Sequence, residues 1–257
     1  MKFTTINLYN GLARKNDLYD KSFNQLIEEL RKIDVGPFKG GWNVHWSRRW
    51  EYPFIFSCII NVLQEKINGA EIMESGSGVN AFAFWLASLS CHVTGVDIEE
   101  SLTDQWNRLD IPCRSDVNST KFVYGDMLDL PFPDNHFDLV YSISSIEHTS
   151  DPAKAVEEMI RVTRLAGYVI FTLDLDICYS DAVKDKDFDK IQRLLPEFCT
   201  PVYPVLISSP SDILTFVNRT IDPQSKFIIG LKLFLNQVGI YNHKDYAIFA
   251  YTGQKKS

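Results

Sequence analysis

The stretch Glu74-Ser75-Gly76-Ser77-Gly78-Val79-Asn80 holds the residues best suited to chemistry. A short apolar run, Ala70-Glu71-Ile72-Met73, leads into it, and a helix-like one, Ala81 to Ala87, follows. Gly76 and Gly78 lack a Cβ, so the backbone can turn sharply there and come close to a ligand. The free N–H groups that open the next helix point at the same spot. Such a bend suits a small, polar, partly negative ligand. Asp97 follows Glu74 by 23 residues and can accept both hydroxyls of a ribose. Gly125-Asp126-Met127 adds a carboxylate able to accept from an adenine amino group and a soft apolar face for the ring. His148, at the end of Ser142-Ile143-Ser144-Ser145-Ile146-Glu147-His148, offers a group that can carry a proton.

Each piece has a plainer reading. A Gly-x-Gly turn can simply join a strand to a helix. Asp97 can be the acid at the start of a helix, since Ile98-Glu99-Glu100-Ser101 follows. Gly125-Asp126 can be an ordinary turn, and a single histidine can be structural. Together they matter more, because each falls at the carboxyl end of a predicted strand, the edge where open α/β sheets bind ligands.

The elements that must position them alternate. The pattern predicts strands at Ala70–Glu74, His92–Asp97, Lys121–Tyr124, Phe137–Ser142, Tyr168–Leu173 and Tyr246–Tyr251. It predicts helices near Ser22–Ile33, at Pro53–Lys66, Asn80–Ser90, Ser101–Arg108 and Asp151–Thr163, and near Asp181–Leu195. Pro53 suits a first helical turn, and Gly167 is expected to close the helix that ends near Thr163. A helix or strand is expected within Phe227–Leu235. The alternation implies βαβ units and a mainly parallel sheet with helices on both faces. One domain over 1–257 is expected: an N-terminal arm (1–52) that could serve as a lid, a cofactor-binding core (53–176), an insertion (177–224) that could cover the substrate, and C-terminal sheet elements (225–257).

The chain has 257 residues, 45% of them hydrophobic, enough for a full core. Its net charge of −7 argues against non-specific binding to nucleic acid or an anionic membrane. Five cysteines, with no close pair, suggest reduced thiols and a cytoplasmic setting. The segment Met1 to Thr5 lacks a signal-peptide apolar core, and the apolar run Pro53 to Leu63 is too short to span a bilayer.

These residues resemble the class I S-adenosylmethionine-dependent methyltransferases, especially those acting on small molecules. That family pairs an acidic E/D-x-G-x-G loop with a D-L-P-F-x-D-x-x-F-D segment and a later E-H. Here the corresponding stretches are Glu74 to Gly78, Asp129 to Asp138 and Glu147-His148, within a likeness covering about Glu71–Leu175. The resemblance implies a Rossmann-like class I fold with a mostly parallel seven-stranded sheet. It implies S-adenosylmethionine as cofactor. Glu74, Gly76 and Gly78 would hold its methionine and sugar portion, with Ser77 and Ile98 in the same binding set. Asp97 would take the ribose hydroxyls, Asp126 and Met127 would flank the adenine, and Ser144 would lie beside the sulfonium. Asn80 stands where the family loop has its third glycine, and Asn tolerates left-handed backbone better than most residues. A looser likeness, to methyltransferases of polysaccharide clusters with an R-R-x-E-Y-P segment, falls on Arg48-Arg49-Trp50-Glu51-Tyr52-Pro53 and favours a carbohydrate acceptor methylated at oxygen.

NAD is the rival ligand, since Gly76 to Ala81 also fits G-x-G-x-x-A and Asp97 its ribose acid. Glu74 weighs against it. A pyrophosphate would feel that carboxylate as repulsion, whereas S-adenosylmethionine carries an ammonium and a sulfonium and no phosphate. Two unit charges about 4 Å apart near a protein surface interact by ~4 kcal/mol before solvent reduces it. A non-catalytic scaffold of the same fold is the third alternative. For the chemistry, an alcohol acceptor needs a base. His148 is the first candidate and Asp174, with Asp176 beside it just past the fifth strand, the second. Trp46, Arg48, Arg49 and Tyr52 belong to an aromatic and cationic stretch, Gly40 to Tyr52, that suits a sugar ring or an acidic group and equally suits packing against the core. The five histidines show no ligand spacing, so no metal is expected. The acidic balance and the lack of a basic stripe argue against nucleic-acid acceptors.

Overall fold

The computed structural model describes residues 6–31, 47–78, 81–102, 120–178, 182–215 and 245–257. In chain order the elements are β1 (Asn10–Leu12), α1 (Lys21–Arg31), α2 (Arg48–Leu63), β2 (Glu71–Ser75), α3 (Ala81–Ala87), β3 (His92–Asp97), β4 (Thr120–Tyr124), β5 (Phe137–Ile143), α4 (Pro152–Val162), β6 (Thr163–Cys178), α5 (Asp185–Phe198), β7 (Cys199–Pro201), β8 (Val205–Leu206) and β9 (Asp245–Lys255).

The strands form one mixed sheet in the order β4-β3-β2-β5-β6-β9-β1-β8, with β7 also on β9. The first five run parallel and β9 is antiparallel to β6. The chain starts this parallel set in the middle, at β2. It steps outward through β3 and β4 and then crosses back to β5 on the other side. The strand order therefore reverses between β2 and β5, and the crevice at their carboxyl ends is where such sheets bind ligands.

One sheet face is covered by α2, α3 and the chain around Tyr9, the other by α4 and α5, each over its own apolar cluster. The central strands are buried on both faces, which is why they read as near-continuous apolar runs.

Several expectations are corrected. The sheet has nine strands among the described residues, because short pieces at 10–12, 199–201 and 205–206 extend its antiparallel side. The helix expected from Pro53 begins at Arg48, and Pro53 lies inside it. Trp50 and Glu51 are fully buried there, and the Trp50 indole N–H donates to Asp17 at 3.0 Å. Those tertiary contacts outweigh the one helical hydrogen bond that proline forfeits.

Gly167 does not close a helix. The helix stops at Val162, and Gly167 lies within β6 beside a register shift opposite β5. A Cβ on Gly167 would stand 2.8 Å from the Asp138 carbonyl oxygen, so close strand approach accounts for the glycine. β6 is longer than expected and runs through Asp174 and Asp176, which pair with Ile248 and Tyr246 of β9. α5 starts at Asp185, four residues after the expected Asp181. The expected elements at 103–108 and Phe227–Leu235, like Val79, Asn80 and Trp46, lie outside the described residues.

Candidate functional site

The Gly loop leaves β2 at the switch point. Gly76 has φ of 71° and Gly78 of 51°, the left-handed region in which a side chain is strained. The N–H groups of Gly76 and Ser77 both donate to the Val96 carbonyl at 2.9 Å, tying the loop to β3. A Cβ on Gly76 would meet the Ser145 Cβ at 2.5 Å and the Met127 Cε at 2.8 Å. The Ser145 hydroxyl donates to the Gly76 carbonyl at 2.8 Å, bridging the loops that follow β2 and β5. Asp97 closes the bend: its carboxylate accepts from the Gly78 N–H at 2.8 Å and from the Glu99 N–H at 3.1 Å. Asp126 accepts from the Leu128 N–H at 2.8 Å.

A cavity of about 370 Å³ lies against this loop, lined in part by Gly76, Asp97, Ile98, Asp126, Met127 and His148. The structure thus brings five of the expected cofactor residues and the expected base to one opening. Among the described residues, its lining includes two carboxylates and no lysine or arginine. Glu74, Ser77, Gly78 and Ser144 are not part of that lining. The Glu74 carboxylate is buried on the α2 side of the sheet and accepts from the Tyr141 hydroxyl at 3.0 Å. The D-L-P-F segment is not in the lining either. Arg161 of α4 clamps it from behind, donating to the carbonyls of Phe132 and Leu130 and pairing with Asp134 and Glu158.

A second cluster gathers at the carboxyl ends of β5 and β6. Glu51 of α2 is fully buried. One of its oxygens accepts from the Ser144 hydroxyl and from the Thr172 hydroxyl, the latter at 2.6 Å. The other pairs with Arg48 at 2.7 Å. Burial alone would raise the Glu51 pKa. The Arg48 guanidinium and the hydroxyls of Ser144, Thr172 and Ser47 outweigh it and hold the carboxyl below its ordinary range. Ser144 has φ of 42°, a strained backbone for a side chain. Its side-chain bond to Glu51 and its N–H bonds to Thr172 over-determine that conformation.

Beside this satisfied network sit two carboxyl groups that are not satisfied. Glu147 is 8% exposed, and neither of its oxygens has a hydrogen-bond partner among the described residues. Asp174 has one buried oxygen in the same state. Both pKa values lie above the usual carboxylate range. For Glu147 the main cause is burial, helped by negative Glu51 and opposed by nearby backbone N–H groups and Arg48. For Asp174 burial again leads, followed by the charges of Glu147 and Glu51.

The expected acceptor residues divide. Arg48 is committed to Glu51, and its guanidinium also lies 5.7 Å from the centre of the Tyr52 ring. Tyr52 packs on Phe82 with centroids 5.1 Å apart, and burial pushes its hydroxyl up to about 12. Arg49 faces solvent. Arg48 and Arg49 therefore do not face the same way: successive helix positions diverge, and one turns toward Glu51 while the other points out. His148 is exposed, although it lines the cavity.

Sequence reasoning missed Glu51, Glu147 and Thr172 as a cluster. One signal was available. Glu51 is the sole carboxylate in a 16-residue helix that is otherwise largely apolar, and a charge in such a helix must be buried and paired. Among the described residues, no group of three or more His, Cys, Asp or Glu is arranged to hold a metal ion, and no helix is long and apolar enough to cross a membrane.

Comparison with known proteins agrees with this geometry. Residues 73–171 match the family model described as a methyltransferase domain. A glycine/sarcosine/dimethylglycine N-methyltransferase of Actinopolyspora halophila is 33% identical over 121 residues, 47% of this chain and 21% of that protein. A chloroplastic tocopherol O-methyltransferase of Arabidopsis thaliana is 33% identical over 101 residues, 39% of this chain and 29% of its own. The chain spans less than half the length of each of these curated relatives. A Galdieria sulphuraria structure assigned as a sarcosine dimethylglycine methyltransferase shares the fold with a TM-score of 0.51 at 14% identity, over 97% of this chain and 94% of the other. The parallel sheet reversing at β2 and β5, the glycine bend on its edge and the matched domain make residues 73–171 a class I S-adenosylmethionine-dependent methyltransferase domain.

Proposed function

We propose that this chain transfers a methyl group from S-adenosylmethionine to a small-molecule acceptor. The observation that carries the reading is the cavity on the Gly loop, which offers Asp97 and Asp126 and, among the described residues, no lysine or arginine. A dinucleotide's pyrophosphate would face those two carboxylates, whereas a phosphate-free, cationic nucleoside finds acceptors for its hydroxyls and amino group. The donor set fits S-adenosylmethionine: Asp97 for the ribose, Asp126 and Met127 around the adenine, and the bend at Gly76 for close approach. When bound, that cofactor supplies an activated methyl group on a positive sulfur. The protein's share is to position the acceptor, exclude water and receive a proton. Ser144, Ser145 and His148 occupy the turn between the cavity and the Glu51 cluster. The whole chain acts as one domain in this reading.

The acceptor is the finer question. The named relatives act at nitrogen or at oxygen, so both atoms are in play. Oxygen on a carbohydrate draws support from the aromatic and cationic stretch 40–52. That support is reduced by the ion pair that commits Arg48 to Glu51 and by the outward direction of Arg49. Nitrogen is favoured by one specific observation: both oxygens of Glu147 and one of Asp174 are buried with no partner among the described residues.

Titration calorimetry with S-adenosylmethionine, S-adenosylhomocysteine and NADH tests the reading. Saturable binding of the first two and none of the third is expected. Binding of NADH alone would overturn it, and binding of none would favour a scaffold.

A further inference from the structure

We propose that Glu147 and Asp174 form the end of the acceptor site and that they receive a protonated amine, so that the acceptor is an alkylammonium compound. The inference rests on the methyltransferase reading and names the class of acceptor that reading leaves open.

Three buried carboxyl oxygens, both of Glu147 and one of Asp174, lack any partner among the described residues. Buried polar groups are almost always hydrogen-bonded, so three together call for an explanation. The nearby cations are taken. Arg48 is matched by Glu51 at 2.7 Å, and Lys184 by Asp176 at 2.6 Å. Among the described residues, what the cluster lacks is a donor-rich positive group. An alkylammonium supplies up to three N–H donors and one positive charge. A hydroxyl supplies one donor and no charge, and would leave most of these oxygens bare.

Location agrees. Glu147 sits in the 3-10 turn Ile146–His148, and Ser145 and His148 on either side of it line the cavity. Asp174 follows Thr172, which holds Glu51, by two residues along β6, so both lie on the α2 face of the strand. The groups facing the pair are Glu51 and Arg48 from α2 and the two carboxyls themselves, from the turn and from β6. Charge also balances. With Arg48 and Glu51 cancelling, a pair that keeps one proton carries a single negative charge, which one ammonium neutralises.

The same pair prepares the amine. An ammonium has no lone pair to donate. The proton of one N–H bond passes to the Glu147 carboxylate, which becomes a neutral acid, and the bonding electrons stay on nitrogen as its lone pair. A buried carboxylate with heightened proton affinity is suited to that exchange.

The test is binding by the protein without its cofactor, at matched ionic strength. Calorimetry would use methylammonium and dimethylammonium chloride as probes, with propan-2-ol and methyl glucoside as neutral arms. Saturable binding of an alkylammonium is expected. It should weaken at least tenfold in Glu147→Gln and in Asp174→Asn, and weaken as pH falls and the pair becomes fully protonated. S-adenosylmethionine affinity should stay within about threefold in both variants. No saturable alkylammonium binding, tighter binding of a neutral probe, or unchanged affinity in Glu147→Gln would each overturn the proposal. If either variant fails to fold, as read by circular dichroism, the wild-type contrast between charged and neutral probes still decides. Titration of the wild type with S-adenosylmethionine separates the two readings: cofactor binding without alkylammonium binding ends this inference alone.

Discussion

The carboxylates on the two sides of the 144–148 turn are held in opposite ways. On the cavity side, Asp97 and Asp126 accept from backbone N–H groups of their own neighbourhood, and Asp126 is exposed to water. On the β5–β6 side, Glu51 is held by side chains 93 and 121 residues away in sequence, and the Glu147 oxygens have no hydrogen-bond partner among the described residues. A carboxylate that closes a local turn stays ionised at little cost. One buried by tertiary packing must be paired, protonated or completed by a ligand. The first arrangement suits a nucleoside recognised by fixed acceptors. The second stores an unmet demand for a partner.

The sharpest way to break the contrast is to remove the group that neutralises Arg48. Glu51→Ala leaves a guanidinium facing the core without its carboxylate and should destabilise the protein by about 3–5 kcal/mol. Urea unfolding measures it, and a loss near zero would mean the pair is not buried in solution.

The pH dependence comes next, and its sign follows from the raised pKa values of Glu147 and Asp174. Each holds its proton more tightly when folded than when unfolded. Their contribution to stability is therefore complete below the ordinary carboxylate range and is lost as pH rises through the elevated folded values. While one such group is protonated only in the folded state, stability should fall by up to ~1.4 kcal/mol per pH unit. Melts of the cofactor-free protein from acid to alkaline pH should show the fall, and Glu147→Gln should flatten it.

On the cavity side, Gly76→Ala places a methyl group against Ser145 and Met127 at a positive φ. It should cost roughly 1–3 kcal/mol of stability and abolish cofactor binding. Asp97→Ala should weaken cofactor binding by about tenfold, ~1.4 kcal/mol, while melting shifts less than for Glu51→Ala. The smallest effect belongs to exposed His148. His148→Ala should alter stability by less than about 0.5 kcal/mol, and its turnover separates a base at the cavity mouth from one at Glu147.

Much of the parallel sheet was legible from the chain. The strands at 92–97 and 137–143 fall where apolar runs meet Gly, Pro or Asp, because local pattern and burial on both faces coincide there, and the edge strand at 120–124 was legible from its pattern alone. α4 was legible for the same reason, with Asp151 capping it through the Lys154 N–H. The start of α2 was not, since Pro53 looks like a first-turn residue until Trp50 and Glu51 find partners from other parts of the chain. Gly167 misled because a glycine after a helix fits a cap as well as it fits a bulged strand.

The sequence by itself determined the glycine bend, the acids that follow β3 and β4 and the alternation that sets them on one edge, because these depend on residues near one another in the chain. Only the tertiary structure decided that Glu51 faces Ser144 and Thr172, that Arg48 is its counter-ion, and that both oxygens of Glu147 and one of Asp174 are buried with no partner among the described residues. A carboxylate's state depends on which distant groups surround it once water is excluded, and chain order does not encode that environment.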